Sequence, residues 1–299
     1  VLKGDVKALD GVSFNLKRGE ILGVAGESGC GKSTLANTLI LRKPPLQYIS
    51  GEATLLGKDI INMSKDEFRK MRLKNISLIP QYALDAFSPT KKIKTFIADL
   101  VSEHGIKPDK KFFDKVNDRL QLVNLHPSVL HRLSIELSGG MKQRLIIIIS
   151  TILDPDFLIA DEVTSALDVS SQRFVVNLLA NLRDKGIIGS GLFITHDLSI
   201  LYQVADRILI MYAGQFVEIG PTDRIINNPK HPYAKALIAS LPKVGIQHSD
   251  KKLEGIKGTP PDLLNIGSGC RFRFRCQYQT GKCEEAPIRE EISDEHSIA

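Results

Sequence analysis

The chain has 299 residues, 42% hydrophobic and 25% charged, with a formal net charge of +6, which predicts one large globular domain plus an appendage with a sizeable core. Its longest apolar stretch, Leu145–Ile149 continued by Thr151-Ile152-Leu153, is well short of the roughly 18–20 residues that a bilayer span requires. No signal peptide opens the sequence, so secretion is not expected, and the start at Val1 rather than Met predicts a fragment whose natural N-terminus is missing. The net charge admits an anionic partner, but positives such as Lys110-Lys111 and Lys251-Lys252 are scattered as on solvated helix faces. In chain order, residues 4–16 alternate with Val12, Phe14 and Leu16 on one parity, predicting a half-buried strand. Ile21–Ala25 predicts a strand stopping at a glycine-rich turn, and Leu35, Leu39 and Ile40 predict a helix over Ser33–Leu41. Short strands are expected at Ala53–Leu56 and Ile76–Ile79. From Tyr82 to Leu137 the period becomes helical, with Phe112, Val116, Leu120 and Val123 on one stripe. A helix (Lys142–Leu153), a strand (Phe157–Ala160), a helix (Ser171–Leu182) and a strand (Leu192–Thr195) follow. Arg207–Tyr212 and Gln215–Ile219 flank Ala213-Gly214 as a hairpin. Apolar strands alternating with helices predict an α/β fold with a mainly parallel sheet covered on both faces. From Pro221 onward, Pro, Gly and Lys mark a less regular extension.

Gly26-Glu27-Ser28-Gly29-Cys30-Gly31-Lys32-Ser33 satisfies G-x-x-x-x-G-K-[ST] between a predicted strand and helix. Glycines let backbone N–H groups curl around phosphate oxygens, and the helix start adds its positive dipole end. Lys32 is expected at the β- and γ-phosphates, the Ser33 hydroxyl on Mg²⁺, and Thr34 at the α-phosphate. Cys30 fills a free position of the motif and reads as structural. Phe157–Ala160 runs into Asp161-Glu162, two carboxylates at the end of a strand that faces the ligand crevice of a parallel sheet. Asp161 is expected to hold Mg²⁺ and Glu162 to polarise the attacking water. His196 and Gln81 end other apolar strands in the same manner, His196 aimed at the γ-phosphate and Gln81 at Mg²⁺ or the lytic water. Cys270, Cys276 and Cys283 lie within 14 residues, which argues for a metal or cluster site over disulfides in a chain of this type.

Leu137-Ser138-Gly139-Gly140-Met141-Lys142-Gln143-Arg144 closely resembles the LSGGQ signature of ABC-transporter nucleotide-binding domains, with Met141 in the usual Gln position. The order of phosphate loop, Gln81, signature, Asp161-Glu162, Ser165-Ala166-Leu167-Asp168 and His196 is that family's order, over about residues 6–220. The resemblance implies a P-loop NTPase core of the ABC type over residues 1–221, with an antiparallel β subdomain and a helical subdomain inserted at about 82–137. It implies a head-to-tail dimer sandwiching two ATP molecules. Each phosphate loop then faces Ser138, Gly139 and Gly140 of the other subunit, with Asp168 at the seam. The aromatic residue on which this family stacks adenine is expected upstream of Val1, and Val163 replaces a common proline. Residues 222–299 form the extension. Asn228-Pro229-Lys230-His231-Pro232-Tyr233-Ala234-Lys235-Ala236-Leu237, Gly258–Leu263 and Gly269–Phe272 resemble oligopeptide/dipeptide importer ATPases, in which clustered cysteines are associated with an iron–sulfur cluster. By that resemblance Cys270, Cys276 and Cys283 hold a [4Fe-4S] cluster, with a fourth cysteine just beyond Ala299. Zinc is the alternative, with His296 completing a Cys3His set. Tyr233 is expected to pack the extension against the core. The implied protein is a peripheral ATPase on the cytoplasmic face of a membrane. It pairs with two transmembrane permease subunits and a second ATPase subunit, indirectly with an extracellular solute-binding protein, and not with nucleic acid. Its solute is a di- or oligopeptide, with oligosaccharides or nickel as alternatives. A soluble ABC ATPase of DNA repair or translation is the reading from another class, and the sequence shows neither the coiled coils nor the fused second unit that such proteins carry.

Overall fold

The computed structural model describes residues 4–41, 44–81, 83–165, 167–241, 255–264, 266–293 and 295–299. In chain order, β1 (Ile21–Ala25) runs into the glycine-rich turn and α1 (Lys32–Ile40) leaves it. β2 (Thr54–Leu55) and β3 (Lys58–Asp59) pair antiparallel. α2 (Lys65–Met71) starts on a reciprocal cap, Ser64 Oγ accepting the Glu67 N–H and the Glu67 carboxylate accepting the Ser64 N–H. β4 (Ile76–Ile79), α3 (Ile93–Ser102) and α4 (Lys110–Leu122) follow. The helical period is borne out in α4, where Phe112, Val116 and Leu120 are buried, as is Val123 beyond its end. Next come α5 (Gly139–Thr151), β5 (Phe157–Asp161), α6 (Val169–Asp184), β6 (Ser190–Ile194) and α7 (Leu198–Val204). β7 (Arg207–Tyr212) and β8 (Gln215–Pro221) form the expected hairpin, and α8 (Thr222–Asn227) and α9 (Pro232–Ala239) follow. β9 (Glu290–Ser293) and β10 (His296–Ile298) end the chain.

The half-buried strand expected at residues 4–16 does not form. The side chains do alternate, with Val12, Phe14 and Leu16 half-buried between exposed Gly11, Ser13 and Asn15, yet no strand is present there among the described residues. Alternation selects the face that turns inward, whereas a strand also needs an edge to pair with. Among the described residues, antiparallel structure before β4 is confined to β2 and β3.

The chain divides into two compact units, one of Val1–Leu16, Glu20–Leu35 and Phe193–Ala299, the other of Lys17–Gly19 and Ala36–Leu192. In the first, β1 pairs parallel with β7, and β7, β8, β10 and β9 continue antiparallel. β1 and β7 are buried along their whole lengths, as continuous apolar runs covered on both faces should be. Tyr212, Tyr233 and Phe272 form an aromatic cluster with ring centroids 4.5–5.3 Å apart, tying the extension to the end of β7. Full burial of each such ring is worth about 1.5–3 kcal/mol. A buried carboxylate sets the turn before α9. Glu218 of β8 is wholly buried and accepts the Lys230 N–H (2.9 Å), the His231 N–H (2.8 Å) and His296 Nε2 of β10 (2.8 Å). His231 Nδ1 then caps α9 by accepting the Tyr233 N–H at 3.0 Å, with Pro232 in the first turn.

In the second unit β4 and β5 pair parallel, Ile79 opposite Ala160, and α5 packs on β4. The Leu145–Ile149 run of α5 is buried throughout, so this apolar segment is a core helix. Among the described residues no helix is long and apolar enough to cross a membrane.

Candidate functional site

The glycine-rich turn is formed by backbone that side chains could not follow. Gly26 sits at φ +152°, where a Cβ would lie 2.2 Å from the Met211 carbonyl, and Gly31 at φ +103°, where a Cβ would lie 2.4 Å from the Ala8 carbonyl. Lys32 is 5% exposed. Its ammonium donates to the carbonyls of Gly26 (2.8 Å) and Glu27 (3.1 Å), 3.9 Å from Cys30 Sγ. Cys30 is buried, and burial pushes its thiol up from the usual range. Its N–H donates to the Glu27 carbonyl (3.2 Å) and its carbonyl accepts the Gly214 N–H (2.9 Å). Ser28 and Gly29 complete the turn, while Ser33 and Thr34 lie in the first turn of α1. His196 stands exposed two residues past β6, and the preceding Thr195 N–H donates to the Val24 carbonyl of β1 at 3.2 Å.

In the second unit the β4–β5 register does the positioning. Because Ile79 faces Ala160, Gln81 and Glu162, each two residues further on, come abreast, and Gln81 Nε2 donates to Glu162 Oε2 at 2.8 Å. That bond leaves Gln81 Oε1 as the acceptor of its amide. Asp161 is 5% exposed at the end of β5. Glu162 takes φ +48°, a left-handed backbone rare for a residue with a side chain and concentrated at functional sites. The Ser165 hydroxyl (3.0 Å) and N–H (3.1 Å) donate to the Glu162 carbonyl, and buried Gln143 Nε2 donates to the Val163 carbonyl at 2.8 Å. α5 is thereby fastened to the turn after Glu162.

Ser138 caps α5, its Oγ accepting the Met141 N–H at 3.3 Å. α5 starts three residues earlier than the apolar pattern predicts, since Gly139 and Gly140 are poor helix formers recruited by that cap. Both are helical, with nothing among the described residues within 4 Å of the Cβ each would carry, so no described neighbour requires glycine there. Asp168 caps α6 and accepts both the N–H and the hydroxyl of Ser170 and of Ser171. Those bonds hold its carboxyl far below the usual range, the Ser170 hydroxyl foremost.

The iron–sulfur and zinc expectations are not supported. Among the described residues no group of three or more His, Cys, Asp or Glu side chains is arranged to hold a metal ion. Cys270, Cys276 and Cys283 are half-buried free thiols, with the Cys270 N–H on the Cys283 carbonyl at 3.0 Å. His296 is buried with Nε2 on Glu218, and no such group among the described residues includes it. Ala166 of the Ser165–Asp168 segment and Tyr82 beside Gln81 lie outside the described residues.

Sequence reasoning missed two residues that grip the glycine-rich turn. Tyr233 does pack the extension as expected, but its hydroxyl also accepts the Glu27 N–H, and Arg275 pairs with the Glu27 carboxylate.

Residues 9–165 match the family described as ABC transporter, and residues 217–283 match the oligopeptide/dipeptide transporter C-terminal region. The dipeptide transport ATP-binding protein DppD of Caldanaerobacter subterraneus subsp. tengcongensis is 39% identical over 95% of this chain and 87% of its own length. The oligopeptide transport ATP-binding protein AppF of Bacillus subtilis is 39% identical over 99% of this chain and 89% of its own. The dimeric ATP-binding cassette MJ0796, solved in a post-hydrolysis state with ADP and Pi, shares the fold with a TM-score of 0.62 at 24% identity, over 72% of this chain and 90% of that one. The chain therefore belongs to the ABC transporter family as an ATP-binding, ATP-hydrolysing subunit, with a C-terminal region of the oligopeptide/dipeptide transporter type.

Proposed function

We propose that this chain powers the import of di- and oligopeptides from the cytoplasmic face of a membrane. It works as one of two ATPase subunits docked on two transmembrane permease subunits that a solute-binding protein supplies. The C-terminal region and the relatives that share it support the solute class. The helical segment at about 82–137 is the part offered to the permeases. The domain division is an ABC core over residues 1–221 and an extension over 222–299.

In this reading Gly26–Ser33 and Thr34 receive the phosphates of ATP and Lys32 bridges the β- and γ-phosphates. Ser33, Gln81 and Asp161 are an all-oxygen donor set, which suits Mg²⁺. When bound, Mg²⁺ neutralises charge on the phosphate oxygens. Glu162 takes the proton of the attacking water, Gln81 holds Glu162 and registers the γ-phosphate, and His196 donates to it. Ser138, Gly139 and Gly140 serve the nucleotide of a second subunit. Two glycines at a helix start that no described neighbour requires suit close approach by an anion from outside the chain. Asp168 lies at the same seam.

The observation that carries the catalytic assignment is the Gln81–Glu162 hydrogen bond at 2.8 Å, made at two strand ends by a residue in strained backbone. Glu162→Gln is expected to keep Mg·ATP binding and to lower turnover at least about a hundredfold. Hydrolysis at the unsubstituted rate in that variant removes Glu162 from the role of base.

A further inference from the structure

Glu27, the first variable residue of the phosphate loop, is held twice by the C-terminal extension. Its backbone N–H donates to the Tyr233 hydroxyl at 2.9 Å. Its carboxylate accepts both terminal nitrogens of Arg275, at 2.6 Å from Nη1 and 2.9 Å from Nη2. The rest of the guanidinium is also engaged. Nε donates to the Lys257 carbonyl (2.8 Å) and Nη1 to the Tyr212 hydroxyl (3.2 Å). The Arg275 side chain is 5% exposed and that of Glu27 25%. The hydrogen bond to Glu27 is the foremost reason that Arg275 holds its proton beyond even the ordinary arginine range. The run Arg271-Phe272-Arg273-Phe274-Arg275 is divided by face. Arg271 reaches the Ala213 carbonyl and Asp10, Phe272 joins the aromatic cluster, and Phe274 is 77% exposed.

A fork-to-fork pair fixes both the direction and the charge of the carboxylate it holds. Direction and charge both matter here, because a carboxylate beside a loop that receives a triphosphate repels the incoming anion unless a cation cancels it. Burial of the arginine limits screening by salt.

We propose that Arg275 is a positioning residue of the ATP site. It turns the Glu27 carboxylate toward the extension and neutralises it, so that the phosphate loop presents a net positive field to the nucleotide. The extension is then part of the nucleotide site, across 248 residues of sequence. This rests on the reading of Gly26–Ser33 as the ATP phosphate loop.

The test is the dependence of the hydrolysis rate on Mg·ATP concentration for the full chain and for Arg275→Met, Arg275→Met/Glu27→Gln, Arg275→Lys and Lys32→Ala. Arg275→Met is expected to raise KM about tenfold with kcat within a factor of two, the effect of one uncompensated unit charge several ångströms away at near-surface dielectric. Removing the Glu27 charge in that background is expected to restore at least half of the rise on a logarithmic scale, which a scaffolding role for Arg275 would not do. If Arg275→Met does not fold, Arg275→Lys decides, with KM raised about threefold by loss of the second hydrogen bond. An unchanged KM in the folded Arg275 variants overturns the proposal, as does a double variant no better than Arg275→Met. Loss of ATP affinity in Lys32→Ala alongside silent Arg275 variants refutes this inference alone, and silence in both refutes the phosphate-loop reading as well.

Discussion

Replacing Glu218 by alanine removes the acceptor of three donors at once, the part-buried Lys230 N–H and the buried His231 N–H and His296 Nε2. Each orphaned buried donor costs about 1–3 kcal/mol. Loss of a central charged acceptor costs about 3–5 kcal/mol in total. For a chain of this length that lowers Tm by about 6 °C. Glu218→Gln is the informative companion. Its amide oxygen can take the place of Oε2 and keep both backbone N–H groups, while its NH₂ donates to His296 in the tautomer that accepts at Nε2. The expected cost is then about 1 kcal/mol, or about 2 °C. Thermal unfolding by circular dichroism, run beside chemical denaturation, separates the two variants. If Gln destabilises as much as Ala, the site depends on charge rather than on acceptor count, and the reasoning fails. Because the same turn places Tyr233 against Glu27, the alanine variant is also expected to raise KM for ATP.

Two further outcomes follow from the same residues. Burial holds the His231 imidazole down to about 4 from an ordinary 6.5, so its neutral-state contribution is fully present above about pH 6.5. As pH falls toward 4 only the unfolded chain takes the proton, and stability drops by up to about 3 kcal/mol; denaturation at stepped pH should show this slope, and His231→Gln should flatten it. Lys32→Ala removes a nearly buried ammonium that already sits on loop carbonyls, and Mg·ATP affinity measured by calorimetry should fall by about 2–3 kcal/mol. Unaltered affinity there refutes the phosphate role.

The parts legible in the sequence were those whose constraint is local. The strand–turn–helix around Gly26 to Lys32 follows from glycines that no side chain could replace, and Asp161 and Glu162 follow from an apolar strand that stops abruptly. The Gln81–Glu162 bond was legible only by halves. Each residue was visible at its own strand end, whereas their meeting depends on the register of two strands 81 residues apart. Residues 4–16 misled because alternation reports burial and not pairing. The Arg275–Glu27 pair was out of reach, since nothing near either residue announces a partner 248 positions away. The cysteine expectation rested on spacing and found no support, since among the described residues no group of side chains is arranged to hold a metal ion.

The tip of the β7–β8 hairpin joins its strands through Ala213 and Gly214, both at positive φ, as a two-residue turn of the mirror type requires. Hairpin tips usually tolerate foreign sequence, but this one is enclosed. Gly214 donates to Cys30 and accepts from Asp10, the Ala213 carbonyl takes Arg271, and a Cβ on Gly214 would meet the Lys7 carbonyl at 2.6 Å. A reporter peptide or fusion joint spliced there would push on the turn that holds Lys32. The Leu56-Gly57 turn, whose leucine is 60% exposed, is the place to graft one, and a protein labelled at that turn should keep its nucleotide chemistry.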